Sequence, residues 1–169
     1  VIYRRLTLRR ADGRTYLRRW ALTVDWLGSI KLHRMDAPDP GEDLHDHPWH
    51  FWSLVLWGGY TEERAPIREA SKVAAIDAMV PRRPGVAYHG MRGNEESRRR
   101  LSLRALRLDE CHRIVHLHRS PTWTLVVCGP RRRRWGFYGP DGFRPAPEYD
   151  HTASKQRHAF TDGTWDTKA

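Results

Sequence analysis

A chain of 169 residues has the length of one ordinary domain and can bury a core without disulfide staples. It carries 30 Lys plus Arg against 20 Asp plus Glu, a net charge of +10, and two cysteines, Cys111 and Cys128, whose spacing fits neither a zinc ribbon nor a redox motif. A disulfide-framed secreted scaffold and a helical membrane protein are thereby excluded, because no run of ~18 apolar residues occurs. The opening VIYRRLTLRR puts charge where a leader needs an apolar run, so the expectation is a cytoplasmic protein without a membrane partner. The arginine excess favours anionic partners, but arginine is spread along the whole chain, which is also how an ordinary solvated surface is written.

In chain order, Tyr3 to Leu8 reads as a strand, Ala11-Asp12-Gly13 as a turn, and Thr15 to Val24 as a second extended segment. Ser29 to Met35 alternates, with Ile30, Leu32 and Arg34 on one face and Lys31, His33 and Met35 on the other. Ala37 to Gly41 is a loop, since two prolines and a glycine cannot sit in a paired central strand. Phe51 to Trp57 is rich in aromatic and apolar residues and ends on Gly58-Gly59, a hairpin signal before Tyr60 to Glu63. Lys72 to Val80 fits helix by its alanines and strand by its position, and Pro81 to Gly85 is a turn. Gly90 to Arg100 (GMRGNEESRRR) reads as a mobile, charged loop. Leu101 to Leu106, His112 to Leu117 and Thr122 to Val127 are three further strands, and Thr152 to Ala169 is a loosely held polar tail. Many short strands, with no periodic helix and no repeat, predict an all-β antiparallel barrel or sandwich.

The sharpest local feature is Leu44-His45-Asp46-His47-Pro48-Trp49-His50. Residues two apart on a strand share a face, so His45 and His47 present two imidazoles side by side, a grip suited to Fe, Zn, Cu or Ni. Alone, an HxH pair is as readily two exposed loop histidines. Here it follows a Pro/Gly loop and leads into a strongly apolar strand.

That arrangement resembles the first motif of the cupin superfamily, and Gly41, His45, His47 and Gly58 or Gly59 carry the resemblance. More closely, HDHPWHFWSLVLWGGY with the later CHRIVHL and PTWTLVVCGPRRRRWGFYGPDGF is similar to small cupin-like proteins of bacteria and their phages with an HDHPW motif, over roughly Arg18 to Tyr149. The resemblance implies a double-stranded β-helix, a jelly-roll barrel of one domain over residues 1–150 with its core at about 18–143 and a polar tail at 151–169. It also implies a third histidine from a later strand, where His112 falls, so the implied metal ligands are His45, His47 and His112. The glutamate that the superfamily's first motif usually carries is replaced by Phe51 or Trp52, leaving three histidines without a carboxylate. Asp46 stands at the wrong step to join them.

His116 shares the strand parity of His112 and is a candidate fourth ligand or general base; His118 shares it too but is read as solvent-facing. His50 is a candidate hydrogen-bond support for the ligands, and His33, His89, His151 and His158 are read as structural or exposed. Trp49, Trp52, Trp57, Trp123 and Trp135 are core or rim packing, a subset of which lines a pocket if the substrate is flat. Arg131 to Arg134 is a solvated edge or an anion clamp. The expected function is a mononuclear metal enzyme holding one divalent ion, Fe(II) first with Zn, Ni or Mn as alternatives. It would act as a dioxygenase on a small polar or anionic metabolite or modified residue. Two alternatives stand beside it: a redox-neutral isomerase, epimerase or lyase, and a non-catalytic binder of nucleotide or nucleic acid. Nucleic-acid binding is expected to be weak and nonspecific at most, because no groove-reading or base-stacking element is evident. A homodimer is left open.

Overall fold

The computed structural model describes residues 1–10, 12–24, 26–41, 43–71, 93–139 and 142–146, and the backbone of 161–166. The strands are β1 (Ile2–Arg9), β2 (Thr15–Val24), β3 (Gly28–Met35), β4 (Leu44–His45), β5 (Phe51–Trp57), β6 (Gly59–Pro66), β7 (Asn94–Arg99), β8 (Leu103–Leu106), β9 (Glu110–Leu117), β10 (Thr122–Cys128), β11 (Gly136–Gly139), β12 (Gly142–Pro145) and β13 (Thr161–Asp166). They form two antiparallel sheets, one ordered β13-β1-β2-β3-β10-β5-β8 and the other β12-β11-β4-β9-β6-β7. The protein is all-β, as the strand-and-turn pattern predicts.

Eight of these strands pair in a nested series: β3 with β10, β4 with β9, β5 with β8 and β6 with β7. Each strand thus meets its counterpart across the β6–β7 connection, as though one long hairpin had been rolled into two layers. β1, β2 and β13 widen the first sheet, while β11 and β12 widen the second.

Three local expectations are corrected. Gly58-Gly59 does not make a hairpin: β5 lies in one sheet and β6 in the other. Positive φ angles of 77° and 150° at the two glycines swing the chain between layers. A Cβ on Gly58 would fall 2.5 Å from Thr122 Oγ1, the hydroxyl that clasps the turn through the Gly59 N–H and C=O. The charged segment Gly90 to Arg100 is not wholly loop, since Asn94–Arg99 is strand β7 along the edge of β6. Its charges are placed by partners: Arg98 ion-pairs with Glu62, and Glu96 with Arg104 of β8. Charged residues on an edge strand also discourage pairing with another chain. In the polar tail, residues 161–166 pair with β1, whose free edge would otherwise leave its amides and carbonyls unpaired. The segments 72–80 and 81–85 lie outside the described residues.

The buried side chains fall into three small clusters rather than one. Tyr16, Leu17, Met35, Val55 and Tyr60 form one of them, with side chains from both sheets meeting in the space between. Phe51, Leu106, Val126 and Cys128 pack elsewhere along it, and residues 67–71, which are helical, seat Ala70 against Leu44, Ala65, Cys111 and Tyr138. A cavity of about 810 Å³ lies among them, lined by both sheets.

The alternation in β3 is oriented against hydrophobicity. Lys31 is 7% exposed and faces the cavity with His33, whereas Ile30 is 52% exposed. Ile30 stands in register between Leu22 and Val127, and Val127 is opposite Trp52, so four exposed apolar side chains cross the outer face in one row. The adjacent inward row is mixed, with Ala21, Lys31, Val126 and Ser53 all buried.

Candidate metal centre

His45 ends β4 and pairs directly with His112 of β9, while His47 follows two residues later as the chain leaves the strand. The three ring centroids lie 4.8–5.1 Å apart. One ligand atom from each ring lies within 4.8 Å of the others, and His47 Nε2 stands 2.9 Å from His112 Nε2. These three residues could together hold a metal ion.

The electrostatics suit that use. Burial, aided by the neighbouring imidazoles and the nearby Arg19, holds His45 and His47 well below the ordinary imidazole range, so both rings are neutral with a lone pair to offer. His112 is tied from behind: its Nδ1 is 3.1 Å from Glu62 Oε2. A carboxylate accepts there, so Nδ1 carries a proton and Nε2 is the nitrogen turned toward His47. Burial alone would raise the Glu62 carboxyl. The hydrogen bond and charge of His112, with the guanidinium groups of Arg98 and Arg64, outweigh burial and bring it down to about 2. A carboxylate behind a ligating imidazole is the usual way such a ring is oriented.

Glu62 escapes sequence reasoning because Thr61-Glu62-Glu63-Arg64 reads as a solvated strand. Its one signal is its strand parity with the aromatic Tyr60. Phe51, standing where the superfamily's glutamate would, packs edge-on against His47 at 4.8 Å. Trp135 stacks on the same ring at 6.3 Å, and Phe137 lies 5.8 Å from His45. Of the tryptophans, Trp49 and Trp135 line the cavity. Trp52 and Trp57 are 56% and 47% exposed, and Trp123 stacks on Trp20.

Asp46 is 1% exposed and points away from the cluster, as its place in the motif predicts. It accepts the Gly136 N–H at 2.7 Å and the Tyr138 hydroxyl at 3.0 Å, and it is ion-paired with Arg133. Its own amide donates to the Gly136 carbonyl, so the HxH segment is pinned to β11 through the residue between its histidines. Arg133 therefore has an internal partner, and Arg132 donates its backbone N–H to Pro48. The four-arginine run is in part a clamp on the histidine loop.

The two other histidines considered for the site are not brought to it. The β6–β9 register shifts between Thr61 and Glu62: Glu62 faces Ile114, but Thr61 faces His116. This bulge absorbs Val115 and inverts the parity beyond it, so Leu117 packs inward and His116 is exposed on the outer side. His118 is also exposed, within 3.1 Å of Thr61 Oγ1. His50 is exposed and accepts the Leu108 N–H through Nδ1, because the chain turns at Pro48-Trp49 and carries it past the cluster. His33, read as structural or exposed, instead faces the cavity and accepts a hydrogen bond from Arg19 Nε at 2.8 Å. His89, His151 and His158 lie outside the described residues. No protein-family model matches the chain, and no curated protein matches it significantly.

Proposed function

We propose that this is a jelly-roll protein of the cupin type and a mononuclear metal enzyme, in which His45, His47 and His112 hold Fe(II) for dioxygenase chemistry on a small polar or anionic substrate. The carrying observation is the convergence of three imidazoles, two held neutral and one oriented by a buried carboxylate, on the wall of a cavity between two sheets. The nested pairing supports the fold assignment, because β3-β10-β5-β8 against β4-β9-β6-β7 is the strand order of two interleaved Greek keys. Three imidazole nitrogens suit Fe(II) as well as Zn or Ni.

The ion would supply Lewis acidity and a common site for substrate and dioxygen. The chain supplies the rest. His45 and His47 donate without first losing a proton, Glu62 fixes the tautomer of His112, and Phe51, Trp135 and Phe137 keep water from the imidazoles. At about 810 Å³ the cavity fits a small metabolite.

Elemental analysis of protein purified with Fe(II) tests this. Wild type should carry up to one ion per chain, and His47→Ala and His112→Ala should carry none. Glu62→Gln should bind roughly 10- to 100-fold more weakly while keeping a melting transition. Equal metal in wild type and both histidine variants would overturn the reading. Turnover without oxygen would instead favour isomerase, epimerase or lyase chemistry.

A further inference from the structure

The cavity has a second wall. Opposite the histidine cluster, the inner face of the first sheet presents Arg19 from β2 and Lys31 and His33 from β3. Arg19 pairs in register with His33, and Lys31 lies two residues from His33 on the same strand, so the two cations are diagonal neighbours on one face.

The charge of Asp39 reaches Arg19, but not as an ion pair. Among the described residues, no carboxylate lies within ion-pair distance of Arg19 or Lys31. Arg19 spends its Nε on His33, and no hydrogen bond of its Nη atoms is found among the described residues. Lys31 is 7% exposed, with its Nζ 3.7 Å from the centre of the Trp49 ring. Of the acids on the cavity wall, Glu62 is engaged by His112 and Arg98, Asp39 by the Ile114 amide, and Asp43 has a partner as well. A buried cation without a counter-ion is costly, and the strand bears that cost while turning Ile30 to solvent. An ordinary core would adopt the opposite register. The arrangement is explained if a ligand brings the missing negative charge.

We propose that Arg19 and Lys31 form an oxyanion subsite facing the histidine cluster, and that its ligand is a small organic acid whose carboxylate or phosphate they bind. This rests on the metal-enzyme reading for its role in catalysis, but the subsite itself needs no metal. The acid group would sit against the first sheet, leaving the body of the molecule among Trp49, Trp135 and Phe137 and within reach of the three imidazoles. Guanidinium and ammonium together suit an oxyanion, the first as a planar fork and the second as a point charge.

Calorimetric titration of the metal-free protein tests it, with benzoate, phenyl phosphate and neutral benzamide as probes. One of the two acids should bind, and which one does so identifies the oxyanion. Benzamide should bind at least tenfold more weakly. Arg19→Met and Lys31→Met should each weaken the acid at least tenfold. Lys31→Met should also melt no lower than wild type, which a purely structural lysine would not allow, and Arg19→Lys should recover part of the affinity. Zinc titration of the same proteins keeps the two readings apart: zinc binding should be no weaker in either methionine variant. Its absence from wild type would count against the metal centre alone. The subsite is overturned if neither acid binds wild type at about 10 mM, if benzamide binds as tightly as the acids, or if both methionine variants keep full affinity.

Discussion

Lys31 shows how a single residue can be placed for use rather than for stability. Burial, reinforced by the charge of Arg19 and opposed by Cys128, lowers its ammonium from 10.5 to about 8. Below pH 8 the residue is charged in the folded and unfolded chains alike, so the fold carries the whole burial cost there. Between about 8 and 10.5 the folded chain has released the proton that the unfolded chain still binds, so this contribution to stability rises with pH. Lys31→Met should therefore be more stable than wild type at pH 7, and the advantage should shrink by pH 10.5. Its ceiling is on the order of 3 kcal/mol, at about 1.4 kcal/mol per pH unit, less about 1 kcal/mol for the lost contact with Trp49. Urea denaturation at the two pH values measures it; a variant destabilised equally at both would refute the account. At this scale the sequence displays His45 and His47 openly, through their spacing, and His112 through resemblance. It conceals Glu62, Arg19 and Lys31, because alternation divides a strand into two faces without saying which is inward. The ordinary rule of apolar side chains inside selects the wrong face of β3.

At the scale of elements, most strands were legible from alternation and turn residues, and the misreadings have local physical causes. The bulge at Val115 moves His116 out of the parity it shares with His112, and no residue type in Cys111 to Leu117 announces it. β7 looks like loop because its stabilising partners, Glu62 and Arg104, come from other strands. β4 comprises two residues and owes its position to the buried carboxylate that follows it. Asp46→Ala would strand the Gly136 amide, the Tyr138 hydroxyl and Arg133. The expected cost is about 3 kcal/mol or more in chemical denaturation, with weaker zinc binding as His45 and His47 lose their support. His116→Ala should leave both measurements unchanged, within about 0.5 kcal/mol for stability. Loss of zinc affinity in His116→Ala would mean that the bulge does not hold in solution.

For the molecule as a whole, the sequence conveyed an all-β chain, a barrel or sandwich, but not which strands pair, because pairing partners far apart in sequence leave no mark on either strand. The cavity was equally hidden. It follows from inward-facing Arg19, Lys31 and three imidazoles that do not coalesce with the apolar clusters around them. Stability is accordingly spread over three modest clusters and the ladders between strands. The outer row of Leu22, Ile30, Val127 and Trp52 adds nothing to that core while it faces solvent.

The nested strand order also bears on time. β6–β7 closes the shortest loop of the four pairings and β3–β10 the longest, and each inner closure shortens the chain that the next must fold back. Assembly should therefore run from the innermost pair outward, slowly, in the range of milliseconds to seconds usual for sheets built from distant contacts. Ala65→Gly, buried in β6, should chiefly slow refolding, whereas Val126→Ala, buried in β10, should chiefly hasten unfolding. Stopped-flow measurement of both limbs would show the reverse if the outer pair forms first. The histidine cluster joins β4 to β9, the second pair from the outside, so the metal ligands come together only late in folding.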